Sequence, residues 1–167
     1  CYGRSMMKPV MMKVFADELA DVLDLRQKAI ACSSHNGDGQ PPQKYWMSSK
    51  SAARSKARRF LLQAMYQAEL TGEDYSSVAD PFISDHNMKR ADLSYFREIL
   101  NGLEVKYDQL RFCIATKLDR DFAELDPIEK SILLLGAYEL IARIDIPYRV
   151  VINEGVELAK SFGYIYV

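Results

Sequence analysis

The sequence predicts an all-α fold, and three observations carry that prediction. Apolar residues recur at three- and four-residue spacing along most of the chain. No alternation of polar and apolar residues lasts more than a few positions, so strands have no signal. The 167 residues include only 8 Gly and 6 Pro, which leaves room for long helices.

The elements follow in order. Residues 11–31 have a helical period, with Met12, Phe15, Leu19, Val22, Leu23 and Ala29 near one stripe. Residues 33–50 are rich in Ser, Gly, Gln and Pro and read as a linker. The piece before that linker is too short to bury a core alone. Residues 1–46 are therefore expected to be a poorly ordered N-terminal extension and linker, ahead of a helical domain at 47–167. From Ser51, a helix is expected with Ala57, Leu61, Ala64, Met65 and Ala68 on one stripe, stopped by Gly72. A short stretch around Ser76–Ser84 follows, interrupted at Pro81.

Asp92 reads as the N-cap of a helix over Leu93–Leu103, with Leu93, Phe96, Leu100 and Leu103 inward. A separate helix is expected over roughly Val105–Leu118, turning Leu110, Ile114 and Leu118 inward. Asp126-Pro127-Ile128-Glu129 is the strongest start signal. Asp caps, Pro occupies the first helical position where no amide is needed, and Glu reaches back. That helix should run to about Arg143, with Ile132, Leu133, Leu135 and Leu140 apolar. Ile146-Pro147 opens a last helix over Tyr148–Phe162, ended by Gly163.

Composition excludes several classes. Hydrophobic residues make up 49% and charged residues 27%, values of an ordinary globular protein rather than a disordered or collagen-like one. No apolar run approaches the roughly 18 residues that a membrane span needs. The cysteines, Cys1, Cys32 and Cys113, are odd in number and widely spaced, which is neither a disulfide framework nor a zinc site. A reducing, cytoplasmic location fits that usage. Met6, Met7, Met11 and Met12 with Lys8 and Lys13 superficially resemble a leader, but Asp17, Glu18, Asp21 and Asp24 interrupt any apolar stretch.

Catalytic signals are lacking in the sequence. It contains no GxGxxG, P-loop, HExxH or GxSxG pattern. His35 falls in the linker, and His86 beside Asp85 reads as a solvated loop residue. Cys113 is expected on an apolar helix face as a small hydrophobe. Asp119, Asp121, Glu124 and Asp126 read as a solvated loop with a cap. No enzyme, cofactor or metal is expected.

Charge is more informative. The net charge is −1, yet Lys50, Arg54, Lys56, Arg58 and Arg59 gather at one helix start, and no Lys or Arg follows until Lys89. At 100° per residue, Arg54 and Arg58 border the apolar stripe while Lys56 and Arg59 point away. All four are expected to stay solvated. Cations at a helix start suit the phosphates of single-stranded nucleic acid, although a charge run is also what a plain solvated face looks like.

Four blocks then carry a resemblance. They are Arg54-Ser-Lys-Ala-Arg-Arg-Phe-Leu-Leu-Gln-Ala-Met-Tyr-Gln, Tyr95-Phe-Arg-Glu-Ile-Leu-Asn-Gly, Leu125-Asp-Pro-Ile-Glu-Lys-Ser-Ile-Leu-Leu-Leu-Gly-Ala-Tyr-Glu-Leu, and Asp145-Ile-Pro-Tyr-Arg-Val-Val-Ile-Asn-Glu-Gly-Val-Glu-Leu-Ala-Lys-Ser-Phe-Gly. In this order, from about Ser51 to Gly163, they resemble the NusB transcription antitermination family. The resemblance implies two small packed helical bundles. It implies binding of boxA single-stranded RNA in ribosomal RNA leaders, with NusE, a small-subunit ribosomal protein, as partner. Other Nus factors and RNA polymerase complete the assembly. It places RNA contact on Arg54, Lys56 and Arg58, with Arg59 as an added cation, and Ser55 stands where another cation is common. It places NusE contact on Tyr66 and Glu129. Glu129 would combine a capping bond with a partly exposed carboxylate.

The chain departs from the resemblance at both ends. Met47 lies where family chains typically begin. After Gly163 the family continues into a further helix with RNA contacts, whereas this chain reads Tyr164-Ile-Tyr-Val167. The second bundle is then expected to be incomplete, with Ile152 and Leu158 uncovered. Two other readings remain open on sequence. The fold could be the RNA-recognition module of an rRNA methyltransferase fragment, or a protein-binding helical bundle without RNA.

Overall fold

The computed structural model describes residues 46–162. The stripe at 11–31, Cys1, Cys32, His35 and the stretch from Gly163 onward lie outside the described residues. Five α-helices and one short 3-10 turn follow in chain order: α1 (Trp46–Thr71), α2 (Tyr75–Asp85), α3 (Leu93–Ala115), the 3-10 turn (Phe122–Glu124), α4 (Pro127–Ala142) and α5 (Tyr148–Phe162). Among the described residues there is no strand, so the all-α expectation holds.

α1 starts earlier than its sequence suggests. Residues 46–50, read as the end of a linker, are helical. No Gly or Pro interrupts the helix, and Gly72 stops it in the left-handed conformation, φ 72°, with its amide bonded to the Ala68 carbonyl at 2.8 Å. The expected stripe of Ala57, Leu61, Ala64, Met65 and Ala68 is buried, joined by Leu62.

α2 passes through Pro81 instead of breaking there. Proline removes one amide donor. Pro81 and Ser77, whose carbonyl loses that donor, are both exposed, so the freed carbonyl is not left in the core. On the opposite side Val78, Ala79 and Phe82 are buried and hold the helix in place. The Tyr75 amide, an orphan donor of the first turn, reaches the Glu104 carboxylate of α3 at 2.8 Å.

α3 corrects the expectation of two helices. It is continuous from Leu93 to Ala115, because neither a proline nor a cap interrupts the ladder between Leu103 and Val105. Asp92 caps it as expected, accepting from the Tyr95 amide at 3.0 Å. Gly102 within it has a packing reason: a Cβ there would lie 1.9 Å from the Tyr138 hydroxyl of α4. Cys113 is exposed, contrary to expectation. Phe112, Cys113 and Ile114 are consecutive, and at 100° per residue only Ile114 turns inward.

α4 is the central element, packed against α1, α3 and α5. Its start has the expected capping box. Asp126 accepts from the Ile128 amide at 2.8 Å, and Glu129 accepts from the Asp126 amide at 3.3 Å. Residues 131–135 and 137–140 are all buried, which is the pattern of a helix surrounded on every side. α5 begins after Pro147 and packs on α4. Leu158 is buried and Ile152 half-buried, so the expectation of uncovered apolar side chains fails at both positions. The inner face of α5 turns these residues onto α4. No helix among the described residues is long and apolar enough to cross a membrane.

Candidate nucleic-acid interface

The basic run occupies the N-terminal half of α1, where that helix meets the start of α3, the end of α4 and the start of α5. Its cations divide into two groups. Arg58 faces inward, at i−4 from Leu62 and i−7 from Met65, and is 2% exposed. The expectation that it stays solvated is overturned. Its Nε donates to both Glu139 carboxylate oxygens, at 2.9 and 3.1 Å, and its Nη2 donates to Oε1 at 2.8 Å. The Glu154 carboxylate of α5 lies 3.6 Å from Nη1. The Tyr95 hydroxyl donates to the same Glu139 oxygen. Burial pushes the Glu139 carboxyl upward, and Arg58 acts against that shift.

Arg54 is half-buried and engaged in the same way. It donates to Asp145 at 3.1 Å, and its Nε lies 3.8 Å from the Asp92 carboxylate. Ser55 donates to Glu154 at 2.7 Å, joining α1 to α5. Arg143, at the end of α4, donates to Asp145 at 2.8 and 3.0 Å and to Glu98 at 2.7 Å. The Arg143 guanidinium holds the Asp145 carboxyl down at about 2. Three guanidiniums surround one ring: Arg54, Arg58 and Arg143 lie 5.5, 5.6 and 5.4 Å from the Tyr95 centroid. Acids therefore neutralise the inward half of the basic run.

The outward half is different. Arg59 is exposed and has no ion pair with a described residue. Lys56 is half-buried, three residues away on the same face, and donates to the Lys89 carbonyl at 2.6 Å. That bond brings the connection between α2 and α3, with its exposed Lys89 and Arg90, to the same surface. These two cations are not legible as part of the basic run, since they lie 33 and 34 positions from Lys56 in sequence.

Tyr66 is half-buried on α1. Glu129 makes its capping bond but is only 8% exposed, so the expected partly exposed carboxylate is not what the structure shows. Burial pushes that carboxyl up, and the bond from the Asp126 amide opposes the shift. His86 is an exposed loop residue, as expected, with its ring stacked on Phe82. Asp121 caps the 3-10 turn, accepting from the Ala123 amide at 2.9 Å, and Asp119 pairs with Arg120 at 3.2 Å. Among the described residues no group of His, Cys, Asp and Glu is placed to hold a metal.

The chain is a small all-helical domain, over its described residues, with an internally neutralised arginine cluster and a separate set of exposed cations. Residues 55–165 match the NusB family profile. The transcription antitermination protein NusB of Shewanella piezotolerans is 46% identical over 114 residues, covering 68% of this chain and 84% of that protein. The protein of the same name from Alcanivorax borkumensis is 47% identical over 112 residues, 67% of this chain and 75% of its own length. That from Idiomarina loihiensis is 44% identical over 114 residues, 68% of this chain and 82% of its own length. The chain belongs to the NusB family.

Proposed function

We propose that this protein is a cytoplasmic transcription antitermination factor that binds boxA-type single-stranded RNA of ribosomal RNA leaders. NusE is its protein partner, and the pair acts with other Nus factors on RNA polymerase. The observation that carries the RNA reading is the outward cation pair of half-buried Lys56 and exposed Arg59, neither in an ion pair with a described residue, on a helix whose inward arginines are paired. Phosphate contact falls to those two residues. Arg58 acts from below, by fixing α1 against α4. NusE is assigned to the face around Tyr66, with Glu129 supporting the start of α4. Membership in a family whose relatives are named antitermination proteins supports the antitermination reading.

The test is equilibrium binding of a short boxA-type RNA across a salt series. With roughly three to five phosphate contacts, log K should fall against log salt with a slope of about −2 to −3.5. Lys56→Ala with Arg59→Ala should flatten it. Tyr66→Ala should weaken capture of NusE without changing the slope. A pull-down that recovers NusE, with no salt-dependent RNA binding, would instead make the fold a protein-binding module.

A further inference from the structure

The connection at residues 86–92 is held against α1 rather than projecting from the fold. The Lys56 ammonium donates to the Lys89 carbonyl at 2.6 Å, and the Asp92 amide donates to the Ala53 carbonyl at 3.2 Å. Met88 is buried and anchors the middle of the segment. The chain then turns at Arg90 with φ 66°, the one positive φ outside glycine among the described residues. A left-handed conformation is unfavourable for a side chain of this kind, and Asn or Gly would take it more readily. The turn leaves Lys89 and Arg90 exposed, neither of them in an ion pair with a described residue.

The same segment begins with a flat ring. His86 is exposed, and its imidazole stacks on Phe82 with centroids 3.9 Å apart and planes 14° apart. Its Nδ1 lies 3.0 Å from the Phe82 carbonyl, which fixes the ring further. Behind it, Phe82 meets Phe60 of α1 edge to face at 6.3 Å. Phe60 neighbours Arg59 in sequence and lies one turn from Lys56.

Binding of single strands combines cations along the backbone with rings on which bases stack. The outward face of α1 supplies the cations alone. We propose that the 86–92 connection is the second half of the single-stranded RNA surface. Lys89 and Arg90 extend the cation row of Lys56 and Arg59, and His86 presents its outer ring face to a base. The proposal rests on the RNA reading above and names residues that reading does not include.

The two contributions separate in one experiment on the full chain, using a short boxA-type RNA across a salt series. Lys89→Ala with Arg90→Gly removes two charges, and glycine accepts the backbone at position 90 without strain. The slope should become shallower by about 1.4. Lys89→Gln alone, which leaves the loop's backbone bonds intact, should give half that change. His86→Ala should lower affinity about fivefold or more with the slope unchanged. Thermal melts matching the parent protein exclude unfolding as the cause. If all three variants bind like the parent while Arg59→Ala weakens binding, the loop assignment is overturned and the RNA reading stands. If the parent chain shows no salt-dependent binding, both are overturned.

Discussion

Arg58 and Glu139, 81 residues apart in sequence, form a forked ion pair buried in the core. It ties the first helix to the central one and is shared with the Tyr95 hydroxyl and with Glu154 of the last helix. Taking two charges out of water is costly, and the pair persists because every side of it has a partner. Removing one member leaves the other buried without its main partner. Arg58→Ala or Glu139→Ala should each cost ~3–5 kcal/mol. Arg58→Met combined with Glu139→Leu should cost less than either single change, since the only charge left there is the partly exposed Glu154 carboxylate, which Ser55 still meets. Urea denaturation of the four proteins checks this, and a double variant less stable than both singles would overturn it.

That pair also shows how far the sequence could be read. Helix starts, caps and buried stripes were legible because each rests on nearby residues. The Asp126 box and the Asp92 cap appear as expected. The Pro81 break failed because tertiary packing overrides a local signal, and the division of α3 failed because no proline or cap stands between Leu103 and Val105 to end the helix. The cations were legible as a run but not as two groups. A hint was present: Arg58 shares a face with Leu62 and Met65, and Glu139 stands in the apolar run Ile132–Ile141. A cation and an anion each set in an apolar stripe suggest one buried pair. Which anion meets which cation is decided only by how α1 crosses α4. The approach of Lys89 to Lys56 depends on folding in the same way.

Two glycines of similar helical setting should respond oppositely to alanine. At Gly102 an added Cβ meets the Tyr138 hydroxyl at 1.9 Å and its ring at 2.3 Å. At Gly136 nothing lies within 4 Å. Gly136→Ala should stabilise by up to ~1 kcal/mol through helix propensity. Gly102→Ala should destabilise by ~1–3 kcal/mol despite the same gain, because the Tyr138 ring must move. Thermal unfolding of the two variants side by side reads the sign directly. A stabilising Gly102→Ala would mean that Tyr138 gives way freely.

Acid should weaken the fold partly through Asp145. Its carboxyl is lowered from 3.8 to about 2, chiefly by the bond from Arg143 and further by Arg54. A depressed carboxyl stabilises the folded state above its ordinary value, and that contribution disappears as pH falls from 3.8 towards about 2. Glu139 runs the other way, since burial raises its carboxyl and the folded state takes up its proton more readily. The difference between the parent protein and Asp145→Asn isolates the first effect. That difference should shrink as pH is lowered through this window, followed by denaturation midpoints. A constant difference would remove Asp145 from the acid response.

Arg54 and Arg59 lie five positions apart and should divide stability from RNA binding. Arg54 is half-buried and bonded to Asp145 at 3.1 Å, beside the Tyr95 ring. Arg54→Ala should cost up to ~1 kcal/mol, the upper end for a pair that still meets solvent. Its effect on the salt slope of RNA binding should be small, because Asp145 already neutralises that charge. Arg59 is exposed and has no ion pair with a described residue, so Arg59→Ala should leave the melt unchanged. It should flatten the slope by about 0.7, the share of one phosphate contact on a single strand. Melting and salt titration of both variants give four numbers. If Arg54→Ala flattens the slope more than Arg59→Ala, RNA competes successfully for the internal ion pair, and the division of the basic run into inward and outward halves fails.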